Sequence, residues 1–253
     1  HISPIRLIIF NIKIFGGYMK KFFKAIIPFT IVASIIVACV GCTQPKKTTL
    51  ELLADRTSYM QNSMYTANDE NFDVTLSVIT QEEHFIADGK TENVMEISTL
   101  VLTPHNVDLL SNTYEYTLTG SQSSVSGSIS KNRLGINLAC KINDISTLGD
   151  LQKLTLTLGE NSIEYELTDI CPEEVDGSGA LEIAYNHYQQ KIDAAFEAKT
   201  FDRECYVKLI TQTEEEGKYY WYVSFIKDKG DYWAAVVDPQ TKEVVNARES
   251  KPE

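Results

Sequence analysis

Residues 219–248 read YYWYVSFIKDKGDYWAAVVDPQTKEVVNAR, and their period decides what the C-terminal part of the chain becomes. Successive side chains of a strand point to opposite faces, so Tyr219, Trp221, Val223 and Phe225 share one face while Tyr220 and Tyr222 share the other. The spacing predicts strands over 218–227, 231–238 and 243–248, joined by turns at 228–231 and 239–242 short enough for hairpins. Upstream, 204–213 is a further strand, reaching 218 through the turn 214–217. A face carrying Trp221, Val223 and Phe225 needs an apolar cover. The preceding segment supplies one, because Leu181, Ala184, Tyr185, Tyr188, Ile192, Ala195 and Phe196 recur at helical spacing. The expectation for 179–250 is one helix laid on a four-stranded antiparallel meander.

The same stretch resembles the PepSY-like and cystatin-like small α+β modules common in exported proteins of Gram-positive bacteria. In those modules an aromatic strand precedes a second strand that ends in Asp-Pro-x-Thr-Gly/Lys-x-Val. Here that run is Asp238, Pro239, Gln240, Thr241, Lys242, Glu243 and Val244, with Lys242 where a glycine is commoner. The resemblance covers about 70 residues from the helix onward. It implies an interaction or peptidase-regulating module and carries over no catalytic residue.

Before this part the period is again two. Phe72, Val74, Leu76 and Val78 alternate with polar residues, and similar runs recur at 94–102, 114–119, 134–142, 154–158 and 163–167. Turn-like stretches at 87–90, 119–122 and 158–161 separate them, a spacing that predicts an antiparallel sandwich or barrel. Thr48 and Glu51 form a capping-box pattern, so a short helix is expected to about Met60. The segment 171–179, with one proline, two glycines and three acids, reads as a linker. The fold class expected is therefore α+β, with a mainly antiparallel β-sandwich-like domain over 48–171 followed by a small helix-on-antiparallel-sheet domain over 179–250.

The N-terminal part reads as an address. Lys20, Lys21 and Lys24 precede fourteen uncharged residues, 25–38, which suits a signal-peptide core better than a bilayer span of about 20 residues. Ile36, Val37 and Ala38 before Cys39 resemble the lipobox of bacterial lipoproteins, in which the following cysteine is lipidated and becomes the new N-terminus. That resemblance makes Cys39 the favoured acceptor and Cys42 the alternative, and it implies a lipid anchor on the outer face of the bacterial cytoplasmic membrane. A metal or redox reading of Cys39 and Cys42 lacks a second ligand pair. Residues 1–38 are then a leader and 39–47 a lipidated tether. Met19 is the first methionine, and Gly16–Gly17 fit ribosome-binding-site codons, which would make 1–18 untranslated; a genuine longer leader stays open beside that reading. The diacylglycerol of a bacterial lipoprotein brings two acyl chains, enough for stable attachment at about 0.8 kcal/mol per buried CH₂.

Charge narrows the partners. The whole chain carries −12, and the leader holds Arg6, Lys13, Lys20, Lys21 and Lys24 but no acid, so the chain beyond the leader is more acidic still. Such a chain repels phosphate backbones, which argues against nucleic acid. Cys140, Cys171 and Cys205 allow at most one disulfide and read as idle thiols.

Motifs for chemistry are missing. His84, His105 and His187 have no second ligand at metal-type spacing, and no nucleophile elbow, Ser-x-x-Lys pair or phosphate loop occurs. Residues 68–73 supply oxygens for calcium but lack the glycine and distant glutamate of an EF-hand loop, and read as an acidic turn. Glu173, Glu174 and residues 214–216 sit in turns, where solvent keeps carboxylates ordinary. No catalytic residue, metal or cofactor is expected. Tyr220, Tyr222, Tyr232 and Trp233 remain as candidate contacts, since exposed tyrosine and tryptophan suit protein, peptide or glycan partners. The expected function is that of a non-catalytic surface lipoprotein. The alternatives are a regulator of an extracellular peptidase or cell-wall enzyme, and a hydrolase with a scattered carboxylate site.

Overall fold

The computed structural model describes residues 47–143, 145–211 and 217–251. Cys39, Cys42, the leader and the acids at 214–216 lie outside the described residues. Thr48 caps the first helix, α1 (Thr49–Ala54): its Oγ1 accepts from the Glu51 amide at 3.2 Å, and Glu51 Oε2 accepts from the Thr48 amide at 2.6 Å. The helix stops at Ala54, short of the expected Met60, because Thr57–Asn68 forms a twelve-residue strand, β1.

The remaining strands are β2 (Phe72–Glu82), β3 (Val94–Pro104), β4 (Tyr114–Gly120), β5 (Ser124–Lys131), β6 (Leu138–Ile142), β7 (Leu151–Leu158), β8 (Asn161–Glu166) and β9 (Thr168–Asp169). After helix α2 (Gly177–Glu197) come β10 (Glu204–Thr211), β11 (Tyr219–Ile226), β12 (Tyr232–Asp238) and β13 (Glu243–Ser250). All thirteen belong to one mixed sheet, ordered β13-β12-β11-β10-β1-β2-β3-β6-β5-β4-β7-β8, with β9 returning to pair with β1.

This overturns the expected fold class. A β-sandwich-like domain followed by a separate helix-on-sheet α+β domain is not what forms. The reason is β1, which pairs antiparallel with β2 along nine residue pairs and parallel with β10 at Thr57, Tyr59 and Met60, so the sheet runs unbroken from one half to the other. Only α2 among the described helices exceeds six residues.

Two cores lie on the same side of that sheet. Phe72, Val74, Leu76, Leu100, Leu118, Leu138, Leu154 and Tyr165 fill the first, which strands from β1 to β8 enclose as β9 closes back on β1. Leu53, Leu181, Ala184, Ile192, Val207, Trp221, Val223, Phe225 and Val237 fill the second. Register sets their common side: Met60 packs on the second core and pairs with Thr80, while Val78, two residues along β2, belongs to the first. Helix α2 thus covers the β10–β13 strands on their inner face, and among the described residues no helix covers the outer one. Among the described residues no helix is long and apolar enough to cross a membrane.

Candidate functional site

The uncovered face of β1, β10, β11 and β12 carries a row of tyrosines. Tyr59 and Tyr206 are register partners across the parallel β1–β10 pair, and their rings stack with centroids 4.4 Å apart and planes at 21°. Tyr222 lies diagonally across β10–β11, its ring 6.4 Å from Tyr206 at 70°. Phe85, from the loop between β2 and β3, leans on Tyr206 at 5.5 Å. Farther along, Tyr222 and Tyr232 line a shallow groove of about 240 Å³ with Ala234, Val236, Asn246, Ala247 and Arg248. Burial pushes the Tyr59 hydroxyl up to about 12 and raises those of Tyr206 and Tyr222, so all three stay protonated near neutral pH and act as donors.

Of the four aromatic residues expected to make contacts, the structure brings Tyr222 and Tyr232 to one groove. Tyr220 is on the same face but only 7% exposed, with the Lys218 ammonium 5.2 Å from its ring centroid. Trp233 points to the other side, where it pairs with Phe225, stacks on Tyr188 at 6.0 Å and lies beneath the Arg203 guanidinium at 4.1 Å. Strand parity separates it from its neighbour Tyr232. Tyr59, Tyr206 and Arg248 are the members that sequence reasoning passed over. Tyr206 alternates with Cys205 and Val207 and was readable as an outward residue, whereas Tyr59 belonged to a strand that was not read at all.

One edge of the tyrosine row is shut by the β2–β3 loop, which two buried acids hold down. Glu204 is fully buried, and its Oε1 accepts from the amides of Asp88 and Gly89 at 3.0 and 3.4 Å. Glu82, 6% exposed, accepts from the Glu92 amide at 2.6 Å. Gly89 adopts φ +78°, and a Cβ there would stand 2.3 Å from the Asp202 carbonyl oxygen, so the close approach of the loop requires glycine. Among the described residues neither Glu204 Oε2 nor Ser224 Oγ on β11 has a hydrogen-bond partner.

Desolvation raises the pKa of Glu204 above 4.5, with nearby Glu82 adding to the rise and Ser58 and the loop amides opposing it. A raised carboxyl contributes stability that is complete below the unfolded value and is lost as pH climbs through the folded value. The Glu204→Gln variant should therefore match the wild type in urea midpoint near pH 4.5 and exceed it at pH 7. A variant that loses stability in parallel with the wild type across that range would show that the carboxyl does not titrate in place.

The other candidates for chemistry sit apart. Cys140, Cys171 and Cys205 are free, and burial raises all three thiols, that of Cys171 to about 12, which keeps them protonated and unreactive. His105 bonds Asp73 at 3.2 Å on the surface. Asp69, in the acidic turn, spends its Oδ1 on the amides of Asn71 and Phe72, both at 2.8 Å. Glu173 and Glu174 are exposed. Among the described residues no three His, Cys, Asp or Glu side chains converge as metal ligands do. What the tyrosine face offers is ring surface, protonated hydroxyls and a guanidinium. No protein-family model matches the chain, and neither the curated proteins nor the solved structures give a match.

Proposed function

We propose that the protein is a non-catalytic lipoprotein of the bacterial cell surface, exported by its N-terminal leader and anchored through Cys39, that binds a partner or ligand with its tyrosine face. Support for the address comes from Lys20, Lys21 and Lys24, the uncharged stretch 25–38 and the residues Ile36, Val37 and Ala38 before the cysteine. The observation that carries the binding reading is the row Tyr59, Tyr206, Tyr222 and Tyr232, half-buried on a sheet face over which no helix lies among the described residues. Tyrosine side chains placed this way present large, rigid area at little entropic cost, as contact surfaces do.

Two measurements test the halves separately. Fatty-acid labelling and partition into the detergent phase on cloud-point separation are expected for the intact protein and should vanish in Cys39→Ala. Retention in that variant with loss in Cys42→Ala moves the anchor to Cys42, and an unlabelled wild type in the aqueous phase removes the anchor altogether. Crosslinking on intact cells should recover partners that the Tyr206→Ala/Tyr222→Ala protein no longer captures. Unchanged capture would mean that this face is not the contact.

A further inference from the structure

The groove beside Tyr222 and Tyr232 has a charge opposite to that of its surroundings. The chain has 35 acidic against 23 basic residues, yet the charged side chains beside the groove are Lys208, register partner of Tyr222, and Arg248, register partner of Ala234, while Lys218 by Tyr220 and Glu243, register partner of Asp238, belong to the other end of the face. Two acids of the same face are held by backbone amides. Glu204 is buried under loop amides, and Asp238 Oδ1 accepts from the amides of Gln240 and Thr241 at 2.8 and 3.3 Å. Arg248 has no ion-pair partner among the described residues, and its side chain is exposed. A free guanidinium presents a planar fork of donors matched to a carboxylate.

Shape selects among anions. At about 240 Å³ the groove is smaller than the roughly 300–1,000 Å³ of pockets that swallow a whole small molecule, so it suits one ring of a longer ligand. Its floor is the side chains of Ala234 and Val236. The backbone beneath them already pairs with β11 and β13, so a ligand seated on this floor is held by side chains, main-chain pairing being open only along the outer edge of β13. The walls are Tyr222 and Tyr232, whose electron-rich ring faces attract the weakly positive C–H bonds of a sugar ring, while Asn246 and the hydroxyls offer hydrogen bonds to its substituents.

We propose that this groove is a subsite for a carboxylate-bearing glycan, with a sugar ring held between Tyr222 and Tyr232 and its carboxylate paired with Arg248. The assignment rests on the reading of the tyrosine face as the binding face and names the ligand class for it. Lys208 adds long-range attraction on the Tyr222 side, so binding weakens as salt rises.

Calorimetric titration of the full chain in detergent, with tetragalacturonate as probe, tests the assignment. Binding is expected, weakened about tenfold by Arg248→Gln and by Tyr222→Ala, unaffected by Lys153→Gln on a distant strand, and weaker for neutral cellotetraose. Arg248 is exposed, so its variant folds; a melting curve checks Tyr222→Ala. No heat with tetragalacturonate overturns the assignment, as does binding indifferent to Arg248 and Tyr222. Hexaglutamate or oligothymidylate binding at these residues where tetragalacturonate does not would overturn the glycan class while leaving the face as the contact. Loss of the cellular crosslinks in Tyr206→Ala/Tyr222→Ala, read independently, tells failure of the ligand class from failure of the face.

Discussion

Replacing Trp221 by alanine is expected to cost about 3–5 kcal/mol of unfolding free energy, read as a lower urea midpoint. Its side chain is fully buried at the centre of the second core, and its Nε1 donates to the Val175 carbonyl at 2.8 Å. The indole therefore does two things. It fills the space between β11 and α2, and it ties the segment before α2 to the sheet. Trp221→Phe separates them: most of the volume stays, the donor goes, and the buried carbonyl is left unpaired, a loss of about 1–3 kcal/mol. If Trp221→Ala shifts the midpoint by less than about 1 kcal/mol equivalent, the helix does not depend on this contact.

Arg203→Ala should be comparably damaging, at about 3–5 kcal/mol, because it strands a buried acid. The Arg203 side chain is 6% exposed and that of Asp231 15%, and Nη2 meets Asp231 Oδ1 at 2.6 Å. Nη1 also donates to the carbonyls of Asp231 and Phe225, at 3.0 and 3.4 Å, while the guanidinium covers Trp233. Lysine cannot reproduce this fork and stack, so Arg203→Lys should recover little. Arg203→Met combined with Asp231→Asn should recover most of the loss, since no charge is then left unpaired. A double variant as unstable as Arg203→Ala would place the cost in lost packing instead.

Much of the local structure was legible. The apolar spacing of 181–196 marks the buried face of α2, and the alternation in 219–225 separates Trp221, Val223 and Phe225 from Tyr220 and Tyr222 as the register does. Lys242, standing where glycine is commoner, adopts φ +58°. Strand β5, SVSGSISK, escaped notice because serine and glycine carry no apolar signal. Its Gly127 sits under the Tyr116 ring, where a Cβ would come within 2.8 Å of the hydroxyl. Strand β1 escaped for a different reason. A register shift between Gln61 and Ser63 turns its inward residues over, so no single alternation runs along it, and the polar Ser58 and Gln61 are buried, their hydrogen bonds made to the Cys205 carbonyl and to Ser63 and Ser77.

That one omission accounts for the misread architecture. Without β1, two runs of strands look like two separate sheets; with it, they are one. The aromatic site was half legible for the same reason: parity within β11 and β12 could be read along the chain, but Tyr59 meets Tyr206 only through the β1–β10 pairing, between strands far apart in the chain.

The sequence by itself determined the periods, the capping box, the hairpin turns and the acidic balance, because each depends on composition or on residues within a few positions of one another. Only the tertiary structure decided which strand joins the halves, which side both cores occupy, and that Arg248 stands by Ala234 between two tyrosines. Those depend on long-range pairing, whose energy is spread over backbone hydrogen bonds common to every residue and so leaves no mark on side-chain identity.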